Sequence, residues 1–226
     1  MILEASKLSL KIALISTFIS VTLSFIIAIF IYKGKRKRDK LIEGFISFPL
    51  FFPPSVLGYV LLVLLGKNGI LGGFLAAYGI ELIFTWKAGV IACVLVSLPM
   101  AYQCIKAGFL EIDREHIEAA FEMGATKLEM CRYVIFPLIR KNIGAGAVLS
   151  FGRSFGEFGA TLMIAGNIPG KTQTIPMAIY YAVEKGDNKS ANILLIIVTC
   201  ISFVVMWCYN HYWLNNSSKQ TETLKN

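Results

Sequence analysis

The run Ile12-Ala-Leu-Ile-Ser-Thr-Phe-Ile-Ser-Val-Thr-Leu-Ser-Phe-Ile-Ile-Ala-Ile-Phe-Ile-Tyr32 holds 21 residues without a charge. At about 1.5 Å of rise per residue, such a helix is about 31 Å long and crosses a hydrocarbon core about 30 Å thick. The run is longer than the apolar part of a secretory leader, and its basic cluster follows it instead of preceding it, so it reads as a retained span. Four further runs of the same kind lie downstream: 45–65, interrupted by Pro49, Pro53 and Pro54; 88–105, with Pro99 inside; 142–165, which alone carries internal charges; and 191–213. Composition agrees. The chain is 56% hydrophobic and 16% charged, where a soluble domain averages about 25% charged, and its mean hydropathy is +0.65. No stretch is long and polar enough for a second domain. The expectation is an all-α membrane protein, one transmembrane domain over 1–226, built as a polytopic helical bundle of five spans.

The net charge of +8 does not point to nucleic acid. The Lys and Arg residues sit at the ends of apolar runs, where they set topology and meet anionic lipid. Residues 33–40, the loop 106–141 and the C-terminal tail place fourteen of them on one side, against seven on the other. Positive-inside then puts the N-terminus outside and the C-terminus in the cytoplasm of a multi-pass cell-membrane protein. Trp86 and Trp213 fall near span ends, as interfacial anchors. The five cysteines lack a CxxC and four lie in or beside apolar runs, and the two histidines lack ligand-spaced partners, so neither disulfides nor a metal site are expected.

The loop 106–141 carries six basic and six acidic residues, so it lies outside lipid. Asp113 is placed to cap a helix in which Ile117, Ala120, Phe121 and Gly124 share one side. Gly124 suits the position just past its end. Thr126-Lys127-Leu128-Glu129 fits a capping box that starts a second helix, which Pro137 ends or kinks. The pattern predicts helix, glycine turn, helix inside the cell. Ala119, Ala120 and Gly124 are small enough for a partner surface to approach, with Glu118 in a polar rim around an apolar centre near Phe121.

Glu118-Ala119-Ala120-x-x-x-Gly124-Ala125, followed after a fixed interval by Val134-x-Phe136-Pro137, closely resembles the EAA motif of the binding-protein-dependent ABC importer permeases. Phe136 stands where that motif usually has Leu. The resemblance implies a type I importer permease fold, with this loop as a coupling helix docked in a cytoplasmic ATPase.

The fourth run contains Gly152-Arg153-Ser154-Phe155-Gly156-Glu157-Phe158-Gly159-Ala160-Thr161. Arg153 and Glu157 are four apart, so on a helix they face one way and pair. A mid-membrane charge costs roughly 2.5–3.5 kcal/mol on insertion scales, so the pair faces protein or water. Gly152 and Gly156 form a GxxxG, which admits either close helix approach or a path wide enough for a solute. Two roles are open: a salt bridge that fixes packing, or an anion acceptor in which Ser154 and Thr161 assist Arg153. Pro53, Pro54 and Ser55 break the second run, as helices do where they line a cavity, or else mark a simple kink.

Arg153 to Thr161, Gly166 to Thr172, Thr174 to Tyr180 and Phe52 to Tyr59 together resemble the molybdate permease subunits of that family, over about residues 8–213. The resemblance implies a homodimer with the pathway on its two-fold axis, two cytoplasmic ATPase subunits that hold ATP and magnesium, and an extracytoplasmic molybdate-binding protein. Sulfate and tungstate are the alternative cargoes. Gly166-Asn-Ile-Pro-Gly170-Lys171-Thr172 is one residue short of a P-loop and follows no strand, so no nucleotide site is expected on this chain. A membrane enzyme would need more ionisable groups within the spans than Arg153 and Glu157. A passive channel or scaffold would leave the loop 106–141 without a purpose.

Overall fold

The computed structural model describes residues 2–31 and 37–210, without the side chain of Arg114. Tyr32, residues 33–36 of the basic cluster and the last part of the expected fifth span, with Trp213, lie outside the described residues. Every regular element among the described residues is helical.

Helix α1, Ile2–Ile31, starts well before the expected Ile12. Lys7 and Lys11 do not stop it, because both lie on its exposed side, where long stems carry the charge away from the packed face. The Lys11 ammonium sits 3.7 Å from the centroid of the Trp86 ring, a cation–π contact at the head of the next long helix. The face that α1 buries is made mostly of small residues, among them Ala5, Ser9, Ala13, Ser16, Ser20 and Ser24, with Ile12 and Ile31 beside them. It packs on α5, Trp86–Leu110, which packs in turn on α8, Phe136–Phe155. Ser97 joins the three helices: its hydroxyl lies 2.8 Å from that of Ser20, and its carbonyl accepts from Ser150 at 3.2 Å. Hydrogen bonds of this kind in membranes average only about 0.6 kcal/mol, so close fit of small side chains sets the packing and the hydroxyls fix its register.

The expected second span is a broken element. Helix α2, Lys37–Ser47, and a 3-10 turn, Phe48–Phe51, meet α3, Pro54–Leu65, at a bend of 113°. Prolines 53 and 54 cause the break. A residue before proline is pushed out of helical geometry, and Phe52 and Pro53 both have ψ near the extended value, 138° and 133°. Pro54 then opens α3 at a position where its missing N–H costs nothing. The short helices α4, Ile70–Ala77, and α6, Arg114–Glu122, follow α3 and α5.

The fourth span departs most from expectation. A three-residue turn α7, Lys127–Glu129, a π-helical turn, Met130–Ile135, and α8 form one continuous helix over Lys127–Phe155. Pro137 therefore neither ends nor starts a separate loop helix. Its ring would clash with a carbonyl one turn back, and the wider π turn just before it accommodates that. The expected continuation from 156 to 165 is instead interrupted at residues 156–158 and resumes as α9, Gly159–Ala165. Helix α10, Ile175–Glu184, packs on α11, Asn188–Tyr209, whose start is capped by Asp187 accepting from the Ser190 N–H at 3.1 Å.

Candidate functional site

Two regions hold the candidate residues: the loop at the α5–α8 end of the bundle, and the break after α8.

In the loop, α6 ends on a Schellman turn. The Ala125 N–H reaches the Ala120 carbonyl and the Gly124 N–H reaches that of Phe121, each at 3.0 Å. Gly124 takes φ +79° there, a left-handed conformation that glycine adopts without a Cβ clash. The capping box that follows is complete: Thr126 accepts from the Glu129 N–H, and Glu129 accepts from the Thr126 N–H at 2.8 Å. Asp113 occupies the N-cap position of α6, but its side chain makes no capping bond. Its carbonyl alone supports the first turn, through the His116 N–H.

The face of α6 divides differently from the expected one. Ile117 and Ala120 are buried in one cluster with Tyr102 and Ile105 of the C-terminal part of α5 and with Met130 and Ile139 of the N-terminal half of the long helix. Ala120 is 3% exposed, covered by this chain's own side chains. Glu118, Ala119 and Phe121 are exposed, Ala125 is half-buried and Pro137 is exposed. Two further exposed apolar side chains follow Phe121 in the chain, Met123 and Leu128, 81% and 77% exposed. Spacing along α6 misses these two because one lies in its C-terminal turn and the other beyond the glycine. Ile117 and Ala120 thus join α6 to Met130 and Ile139 of the helix over Lys127–Phe155.

The far end of that helix is the break. Arg153 and Glu157 form an ion pair, but Glu157 is no longer in the helix of Arg153. Its other carboxylate oxygen accepts from the Ala160 N–H at 2.8 Å, in the first turn of α9. The pair therefore clamps the break from both sides. Glu157 is 1% exposed at its side chain and Arg153 26%. Ser154 is buried with an unpartnered hydroxyl, and its carbonyl accepts from the Cys93 thiol at 3.6 Å. Thr161 is buried and donates to the carbonyls of Glu157 and Phe158.

The glycines of this segment separate into two kinds. A methyl group on Gly58 would lie 2.8 Å from the backbone of Ala160, and one on Gly159 would lie 3.2 Å from the Ser55 nitrogen. The two broken helices thus touch, and the structure brings Pro54 and Ser55 to the start of α9. Gly152 has no neighbour within 4 Å in the direction of a side chain, and Gly156 has only the Gly152 carbonyl, at 3.6 Å. Of the two uses open to this GxxxG, close helix approach and clearance, it seats no helix among the described residues. It leaves an open face with Gly152, Arg153 and Gly156 on it, while Pro53 and Ser55 are also exposed.

Comparison with known proteins gives one answer about kinship. The family model described as "Binding-protein-dependent transport system inner membrane component" matches residues 20–212. A putative molybdenum transport system permease protein of Bacillus subtilis is 35% identical, over 88% of this chain and 88% of its own. The molybdenum transport system permease protein of Haemophilus influenzae is 35% identical, over 90% and 91%. A sulfate transport system permease protein of Salmonella typhimurium is 29% identical, over 92% and 76%. A chain from the crystal structure of a bacterial ABC transporter that imports alginate has the same fold, with a TM-score of 0.75 at 16% identity, covering 94% of this chain and 79% of that one.

Proposed function

The chain belongs to the family of binding-protein-dependent transport system inner membrane components, and from that premise we propose that it carries molybdate across the cytoplasmic membrane. It is a permease subunit of an ATP-binding-cassette importer and does not itself hydrolyse ATP. The observation that carries the proposal is the single helix over Lys127–Phe155. It connects the loop with the exposed Glu118, Ala119 and Phe121 to the Arg153–Glu157 clamp. At about 1.5 Å per residue it reaches about 43 Å, enough to carry a push from one membrane surface to a site deep in the bilayer.

In this reading two copies of the chain form the pathway on a two-fold axis. Two ATPase subunits, holding ATP and magnesium, dock at α6 in the cytoplasm, and an external binding protein delivers the anion. The N-terminus is outside and the C-terminus inside. Pro53, Pro54 and Ser55 on one broken helix and Arg153, Ser154, Gly156, Glu157 and Thr161 around the other form the gate. A tetrahedral dianion suits a half-exposed guanidinium, whose fork of N–H donors matches oxyanion oxygens. Tungstate has the same shape and charge, and sulfate is the cargo named for the Salmonella relative.

The test is uptake of labelled molybdate, tungstate and sulfate by the chain reconstituted with its ATPase and binding protein. The expected result is ATP-dependent molybdate uptake, reduced by excess tungstate more than by sulfate. Uptake of sulfate in preference to molybdate would reassign the cargo, and ATP-independent flux would make the protein a channel.

A further inference from the structure

We propose that Glu157 is a positioning residue that aims Arg153 at the open face of the break and weakens its hold on the transported oxyanion; this rests on the importer reading above. The two partners are not equivalent. Glu157 is fixed: its carboxylate is buried, one oxygen accepts from the Ala160 N–H at 2.8 Å, and its backbone carbonyl accepts from Thr161 at 3.2 Å. Arg153 is the partner with the more exposed side chain, 26% against 1%. The contact uses one guanidinium nitrogen, Nη1, and one carboxylate oxygen, whereas a guanidinium has five N–H donors in a plane. The remainder can serve an anion without Glu157 leaving.

The surroundings favour that division of labour. Gly152 precedes Arg153 and Gly156 precedes Glu157; space is open above Gly152, and only the Gly152 carbonyl, at 3.6 Å, stands near Gly156. An anion in that space meets a cation whose charge is already offset by a carboxylate one bond further away. Transport needs binding that is favourable enough to admit the anion and weak enough to release it. A bare arginine away from bulk water would hold a dianion too firmly, because such attraction is poorly screened there. The buried carboxylate sets the guanidinium plane and lowers its net pull.

The experiment is Glu157→Gln in the complete complex in vesicles, with molybdate as the probe. The amide keeps an acceptor for the Ala160 N–H and removes the negative charge. The half-saturating molybdate concentration is expected to fall about tenfold, and the maximal uptake rate to fall with it, since the anion leaves more slowly. Glu157→Asp, which keeps the charge but draws it back from Arg153, should move both quantities the same way by less. An unchanged half-saturation, with or without a slower maximal rate, would overturn the proposal, because a merely structural pair would show that. Failure of both variants to assemble would make the pair a packing element and overturn it equally. Wild-type vesicles that take up none of the three oxyanions would defeat the importer reading itself, a result distinct from normal wild-type uptake with an unaltered variant.

Discussion

Helix α8 carries Gly146 and Gly152 less than two turns apart, and the two glycines face opposite circumstances. A side chain at Gly146 would meet the Ala101 backbone at 3.2–3.3 Å and the Cys104 Cβ at 3.4 Å. A side chain at Gly152 would meet nothing within 4 Å. The first glycine lets α5 approach, and the second keeps a face of the same helix clear. Within lipid there is no hydrophobic gain from joining two apolar helices, so tight seams depend on shape, as along α1, α5 and α8. The seam runs on past Gly152 to Ser154, whose carbonyl accepts from the Cys93 thiol of α5, and the partly exposed Arg153 lies beside it. Small residues in a membrane sequence thus serve either contact or clearance, and only the neighbouring helix decides which.

The largest effect should come from the charge on the open face. Arg153→Ala leaves the buried Glu157 carboxylate without its cation, which costs about 3–5 kcal/mol. The yield of monodisperse protein in detergent should fall sharply. Adding Glu157→Gln should restore the yield but not molybdate uptake; restored uptake would confine Arg153 to packing. Next is the packed class. Gly58→Val forces a side chain against the Ala160 backbone 2.8 Å away, an overpacking cost of about 1–3 kcal/mol or more, read as a lower melting temperature. Smaller again is Thr126→Ala, which removes one arm of the capping box, worth about 1 kcal/mol. ATPase stimulation should weaken while the spans stay folded, since the box lies between α6 and the long helix. Smallest in stability is Gly152→Ala. Gly in a helix costs about 0.5–1 kcal/mol relative to Ala, so the melting temperature should hold or rise while uptake falls. A falling melting temperature there would erase the contrast between the two glycines.

Much of the fold was legible in residues. Charge-free runs marked where spans lie, Gly124 marked the turn after α6, and Thr126 with Glu129 marked the start of the next helix, because each depends on local chemistry. The break at 156–158 was not legible. Gly-Glu-Phe-Gly reads as one more helical turn with an i,i+4 pair, and the interruption is tied to contacts far away, Gly58 on Ala160 and Ser55 on Gly159. The burial of Ala120 was hidden for a similar reason. Periodicity placed it on a face with Phe121, but which part of that face meets α5 is set by the bundle. Pro137 reads as a terminator or a kink because the π turn that absorbs it has no sequence signature of its own. The pairing of Arg153 with Glu157 was predicted on a helix face and holds across a helix end instead.

The central claim is that the face at Gly152 is open to the transported anion. In a chain whose native cysteines are replaced, Gly152→Cys and Ser150→Cys should be treated with a charged thiol reagent in the assembled, membrane-embedded complex. Ser150 lies two residues away and is fully buried. The account predicts rapid labelling at position 152, protection of that site by molybdate, and no labelling at position 150. Equal labelling at the two positions, or labelling at 152 that molybdate leaves unchanged, would contradict it.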